Sequence, residues 1–166
     1  MKGSSAILIV LLAARCDGFV GEVRVDAPQG PSVAVVDPDY LVLRPVTSVA
    51  GPGSATASVY GQTVHYEPTA RILDLRHFDP RTAKIEEALP GTYAVSIRTT
   101  HEGNRLLGEW TAANLERQLG VFVDGKLISA PHIKSKITDM IVIEDDFTRP
   151  QAEAVVGRLR RGGAAV

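Results

Sequence analysis

The chain has 166 residues, 45% of them hydrophobic and 22% charged, which is enough for one domain with a buried core. Its 18 Lys and Arg against 19 Asp and Glu give a formal charge of −1. That balance lacks the basic excess and the aromatic–basic interleaving of a nucleic-acid binder, and a single Cys excludes an intrachain disulfide.

The N-terminus reads Met1-Lys2-Gly3-Ser4-Ser5 and then an apolar run from Ala6 to Ala14. One basic residue ahead of a short apolar run has the shape of a secretory signal, and the run is shorter than the roughly 20 residues of a membrane span. Leu12-Ala13-Ala14-Arg15-Cys16 resembles the lipobox of bacterial lipoproteins, in which the Cys is acylated, although Arg15 stands where that motif wants Gly, Ala or Ser. Residues 1–16 are therefore expected to be a signal or lipoprotein-type leader, with Cys16 the lipidation candidate. The alternative is an apolar N-terminus of a cytosolic protein. Asp17, directly after the Cys, points to retention at the inner membrane.

Residues 17–60 are rich in Gly, Pro, Ser and Val, with APQGP, DPDY, RPV and AGPGSATAS as punctuation. Between the breakers lie short β-like pieces, EVRV, SVAVV and YLVL, which read as edge strands or as an extended tether. AGPGSATAS itself reads as a flexible connector.

From Gly61 the patterning tightens, and residues 61–163 are expected to form the folded domain. TVHYEP and ILDLRHF alternate like strands. DPRTAKIEEALPG predicts a helix, with Asp79 as N-cap, Pro80 at the first helical position and Pro90-Gly91 as the stop. TYAVSIRTT predicts a strand with Tyr93, Val95 and Ile97 on one face and Ala94, Ser96 and Arg98 on a solvated one. NRLLGEWTAANLERQ predicts a second helix, in which Trp110, the only Trp, reads as a core anchor rather than a stacking platform. Thr148 and Gln151 form a capping box for a third helix with the stripe Ala152, Val155, Val156 and Leu159. Arg158, Arg160 and Arg161 crowd its last turn, complementing the helix dipole, and Gly162-Gly163 ends it.

GVFVDGKLISAP, Gly120 to Pro131, contains G-x-x-x-x-G-K, the start of a phosphate-binding loop. A working loop needs a strand before the first Gly and a helix beginning near the Lys. Here the variable residues are strand-prone Val-Phe-Val-Asp, and Leu127 replaces the magnesium-binding hydroxyl. Asp124-Gly125 instead predicts a two-residue type I′ hairpin turn, with Lys126 an exposed strand residue beyond it.

VFVDGKLISAPHIKSKI followed by IVIEDDFTRPQAEAVVGRL resembles the head of the first periplasmic domain in the SecD/SecF-type protein-export accessory family. The match runs through Asp124, Gly125, Ser129, Ala130, Pro131, Ile133, Ile137, Phe147, Thr148, Ala152 and Leu159, with Thr111 and Asn114 upstream. It covers Thr92 to Gly163 well and Tyr60 to Pro90 loosely. Where the family often has Gly in turns, Glu116, Asp139 and Asp145 stand here. The family's multi-span membrane portion is not in this sequence, so the resemblance implies a free-standing head and does not bring proton-driven translocation with it.

No catalytic constellation emerges. His65, His77, His101 and His132 share no metal-ligand spacing, HEGNR has Arg105 where H-E-x-x-H needs its second His, and Ser129 lies in no nucleophile elbow. Glu144-Asp145-Asp146 precedes a helix N-terminus, where negative charge is stabilising. The expectation is a non-enzymatic α+β domain, a mostly antiparallel sheet with two or three helices packed on one face, needing neither cofactor nor metal. The resemblance implies an exported module on the periplasmic side of the inner membrane, reaching the membrane only through a lipid anchor or an uncleaved N-terminal segment. It would bind unfolded polypeptide or an envelope or translocase protein. The alternative is an envelope interaction lipoprotein that kept the fold without an export role. Lys126, Ser129, His132 and Lys134 are the candidate peptide contacts, by strand addition at the hairpin edge. Pro131 equally fits a residue that blunts that edge.

Overall fold

The computed structural model describes residues 36–163. The leader, Cys16, EVRV and nearly all of SVAVV lie outside them. Two apolar runs distant in sequence, Leu41–Val46 (β1) and Gln118–Val123 (β7), pair antiparallel from Leu41↔Val123 to Val46↔Gln118. All six residues of β7 are buried, so this strand has protein on both faces. Leu73–Asp74 (β4) flanks β1, and Lys126–Ser129 (β8) flanks β7, giving the order β4-β1-β7-β8. Gly120 is needed in the middle of β7: a Cβ there would lie 2.5 Å from Val46 Cγ1 and 2.8 Å from Phe122 Cε2.

One face of this sheet presents Leu41, Leu43, Leu119, Val121, Val123 and Ile128 to the main core. The other presents Val42, Val46, Phe122 and Leu127, covered by the hairpin of Ala55–Val59 (β2) and Gln62–Tyr66 (β3) through Val64 and Tyr66. The stretch read as a flexible connector therefore supplies β2. The described residues belong to one compact unit, so β1 and β2, both ahead of residue 61, are part of the domain and not of a tether.

A second sheet, Phe78–Leu89 (β5), Thr92–Thr99 (β6) and Met140–Phe147 (β9), closes the main core with Val95, Ile97, Ile141 and Ile143. β5 corrects the expectation of a helix over 79–89. Asp79 does not cap a helix; its carboxylate accepts the Arg81 N–H at 3.1 Å, and Pro80 falls within a register shift of the β5–β6 ladder. Pro90-Gly91 is a hairpin turn joining Leu89 to Thr92, with Gly91 at φ 83°. Ala94 and Ser96 of β6 are buried as well as Val95 and Ile97, so the second face of this central strand is less solvated than alternation predicts. Among the described residues the class is α+β with antiparallel pairing throughout, as three small sheets and two α-helices.

The helices are His101–Ala113 (α1) and Arg149–Arg160 (α2). α1 starts three residues earlier than the sequence suggests because Thr100 Oγ1 accepts the Gly103 N–H at 3.1 Å and serves as N-cap. It ends at Asn114, leaving Arg117 free to lead into β7; Glu116, at φ 65°, makes the turn. α2 opens as expected, with the Thr148 N–H donating to Gln151 Oε1 at 2.8 Å. Neither helix is long and apolar enough to cross a membrane.

The 3-10 turn Leu75–His77 seats α1. Thr100 N–H donates to His77 O at 2.9 Å, and a Cβ on Gly103 would lie 2.2 Å from that same carbonyl. Gly103→Ala is therefore expected to lower stability by about 1–3 kcal/mol, read from denaturant unfolding. Asp74 caps the same turn with its side chain only 4% exposed, held by Arg76 at 2.6 Å. Burial raises its pKa, but hydrogen bonds from the Arg76 side chain and N–H, with the His77 and Arg76 charges, outweigh it and hold the pKa below the usual carboxylate value. A carboxyl so lowered adds stability above its unfolded pKa of about 3.9, and that stability is lost as pH falls through the lower folded value. Asp74→Asn is expected to lower Tm at neutral pH and to flatten its acid decline, measured by melts across a pH series.

Candidate functional site

The β7–β8 hairpin turns on Asp124 (φ 53°) and Gly125 (φ 74°), both in the left-handed region of a type I′ turn. The run from Gly120 to Lys126 is thus strand and turn, with no helix start to aim backbone N–H groups at a phosphate. Arg158 of α2 secures the turn. Its Nη1 is 2.6 Å from Asp124 Oδ2, its guanidinium lies 4.1 Å from the Tyr40 ring centroid, and Nη2 donates to Gly163 O at 3.0 Å. Arg160 donates to Ala83 O of β5 at 3.0 Å. Two of the three arginines expected to complement the helix dipole are thus cross-links between elements.

β8 pairs within its sheet only with β7, and is an edge strand. The Ser129-Ala130-Pro131 segment extends that pairing: Gln118 Nε2 donates to Ala130 O at 3.2 Å and Leu119 N–H to Pro131 O at 3.0 Å. Ile133 is buried, and its N–H donates to Arg117 O at 2.8 Å. The following loop is pinned to α1. Thr111 Oγ1 accepts the Ile137 N–H at 2.9 Å, and Gly108 leaves room for the Lys136 stem, which a Cβ would approach to 2.8 Å. Phe147 is buried in the main core and Thr148 caps α2, so these two motif residues hold the fold.

The four candidate contacts fall along this edge but are not equivalent. Lys126 is exposed at the turn end, with Nζ 3.2 Å from Asp145 Oδ2 of β9. Lys134 reaches Glu116 Oε2 at 2.6 Å, and this hydrogen bond and charge hold the Glu116 pKa below the usual range. Ser129 is half-buried opposite Val121. His132, opposite Gln118, is exposed and opens into a cleft.

That cleft has a volume of about 690 Å³. Val46 and Trp110 form apolar wall, the 47–54 loop contributes Val49 and Pro52, and His65, His132 and Arg117 supply polar groups. Trp110, expected as a core anchor, is half-buried: it packs against the main core and lines the cleft. His65 is placed by exchange of backbone hydrogen bonds with Thr47 at 2.7 and 2.9 Å. The 67–71 segment beside it is held by Arg44, whose guanidinium lies 6.0 and 5.7 Å from the Tyr66 and Phe122 ring centroids and donates to Pro68 O and to Ala70 O. Sequence reasoning missed the 47–54 loop, His65 and Tyr66 as cleft walls. Their only signal was an apolar Val49 beside a Gly-Pro turn, which reads equally as connector. No group of three His, Cys, Asp or Glu among the described residues could hold a metal ion.

Comparison with known proteins is consistent along the chain. Residues 56–166 match the family model described as SecDF, P1 head subdomain. The protein translocase subunit SecD of Koribacter versatilis is 30% identical over 125 residues, covering 75% of this chain and 22% of that protein. The SecD of Dictyoglomus turgidum is 33% identical over 87 residues, covering 52% and 22%. The chain thus spans about a fifth of the length of these relatives. Among solved structures, SecDF in a super-membrane-facing form gives a TM-score of 0.55 at 22% identity over 74% of this chain and 18% of that one. A structure of SecDF described as a membrane component that enhances protein export gives 0.54 at 22% identity, over 74% and 62%. Fold, motif positions and family match agree: the chain belongs to the SecDF P1 head subdomain family.

Proposed function

We propose that this domain is a non-catalytic polypeptide-binding module of protein export, acting on the periplasmic side of the inner membrane. Family membership and the translocase relatives support the export setting. The observation that carries binding is the cleft of about 690 Å³ reached by the segment that runs on from the edge strand, since His132, three residues past β8, bridges Gln118 and lines the cleft. An extended segment laid along Ser129 and His132 would find apolar wall at Trp110 and Val46, with the strand edge to read its backbone. Lys126 and Lys134 would act at the two ends of this track, exchanging their carboxylates for those of a guest or keeping the edge closed to neighbours. The partner is an unfolded export substrate or a translocase protein.

Trp110→Ala is expected to weaken binding of an unfolded preprotein about tenfold or more, measured by fluorescence anisotropy with a folded control protein alongside. Equal binding of the folded control, or affinity untouched by Trp110→Ala in a variant that still melts cooperatively, would sink the proposal. Membrane attachment is proposed through Cys16. Palmitate label is expected on the full chain in cells and absent from Cys16→Ser; label surviving in that variant overturns the anchor assignment.

A further inference from the structure

Arg117 lies between the end of α1 and the start of β7, and its backbone is fixed on both sides. Its N–H donates to Asn114 O at 3.3 Å, and its carbonyl receives the Ile133 N–H at 2.8 Å. Asn114 in turn donates from Nδ2 to Trp110 O at 2.8 Å. One asparagine therefore ties the main chain of Arg117 to that of Trp110, and both residues line the cleft. Asn114 belongs to the sequence motif, and the track along β8 leaves it without a role.

Arg117 is exposed and, among the described residues, makes no ion pair. Arg44, Arg71, Arg76, Arg98, Arg105 and Arg158 are by contrast each bound to a carbonyl or a carboxylate. The adjacent acid, Glu116, does not neutralise Arg117, because Lys134 takes that carboxylate at 2.6 Å. His65 and His132, on the same cleft, add ring N–H donors that need no charge to hold an oxygen. Glu67 also lines the cleft, its carboxylate accepting the Thr69 hydroxyl at 3.1 Å. It opposes a run of acidic residues, so the complement of the cleft is a single carboxylate beside apolar surface.

We propose that Arg117 sets the sequence preference of the cleft, whose guest is an extended polypeptide segment carrying an aspartate or glutamate two residues from a bulky apolar residue. This rests on the cleft being the polypeptide site. Side chains at i and i+2 of an extended segment share a face about 7 Å apart, so both enter the cleft together. The apolar one packs against Trp110 and Val46, and the carboxylate accepts two parallel N–H bonds from the guanidinium. The residue between them points away from the cleft. The carboxylate belongs to a side chain and not to a chain end, because the segment past β8 that leads to His132 carries an internal stretch of guest.

Trp110 is the only Trp, so its emission reports occupancy of the cleft in the full chain. The titrant is a short end-capped peptide with one aspartate two residues from a leucine, compared with the same peptide carrying asparagine. The aspartate peptide is expected to bind about fivefold more tightly, and Arg117→Gln to remove that difference while melting stays cooperative. Arg117→Lys is expected to keep a reduced preference, since the charge remains and the planar fork is lost. A preference surviving Arg117→Gln would overturn the proposal. So would an asparagine peptide with a free C-terminal carboxylate that binds as tightly as the aspartate one. An emission change with equal affinities for the two peptides sinks this assignment alone; no emission change with either sinks the cleft reading as well.

Discussion

The structure depends on one constraint: β7 is buried on both faces. A six-residue strand with no solvated side cannot belong to a single sheet covered on one face only. Leu119, Val121 and Val123 need one apolar layer and Phe122 another. The second sheet and both helices supply the first, and the β2–β3 hairpin supplies the other. Each buried aliphatic or aromatic side chain contributes about 1.5–3 kcal/mol, so neither cover is dispensable. The absence of a Cβ at Gly120 lets Val46 and Phe122 close over the strand, which links the hairpin cover to the β1–β7 ladder beneath it.

A second constraint gathers the distant parts of the chain at one corner. Asp37 N–H donates to Gly162 O at 2.7 Å, Asp124 N–H donates to Tyr40 O at 2.8 Å, and Arg158 joins Asp124, Tyr40 and Gly163. The segment leading into β1, the β7–β8 turn and the end of α2 therefore share a single guanidinium. Its Nε is buried without a hydrogen-bond partner, so the arrangement carries a desolvation cost that the other contacts of the group must outweigh. The segment entering β1 and the end of α2 thus meet at the β7–β8 turn.

What the sequence made legible was local. The Asp124-Gly125 turn, the Thr148–Gln151 box and the apolar alternation of β6 each declare themselves within a few residues. β5 was misread because an Asp-Pro opening and a Pro-Gly close serve a helix and a bulged hairpin strand equally well. The deciding partner, β6, acts only in three dimensions. β2 was hidden for the same reason, and YLVL was legible only as an edge strand or tether piece, since Leu41–Val46 becomes a central strand only when the distant β7 pairs with it. The motif residues located the β8 edge and His132, but the cleft gathers the ends of β1 and β3, the 47–54 loop, α1 and the 116–118 and 132 positions. No periodicity or spacing in the sequence relates those segments.

The four non-glycine residues at positive φ among the described residues show how this family member handles turns in which glycine would be easiest. Three are compensated by their own side chains. Glu116 pairs with Lys134 at 2.6 Å, Asp124 with Arg158 at 2.6 Å, and Asp139 with Arg98 at 3.0 Å while its carbonyl receives the Thr99 N–H at 2.7 Å. In each case the side chain that makes the backbone conformation unfavourable also makes the tertiary contact that holds it. Tyr60 does not fit this pattern: it has a single hydroxyl contact at 3.4 Å and an exposed ring. The conformation at Tyr60 is held instead by the β2–β3 ladder on either side of it, with Gly61 at the second turn position.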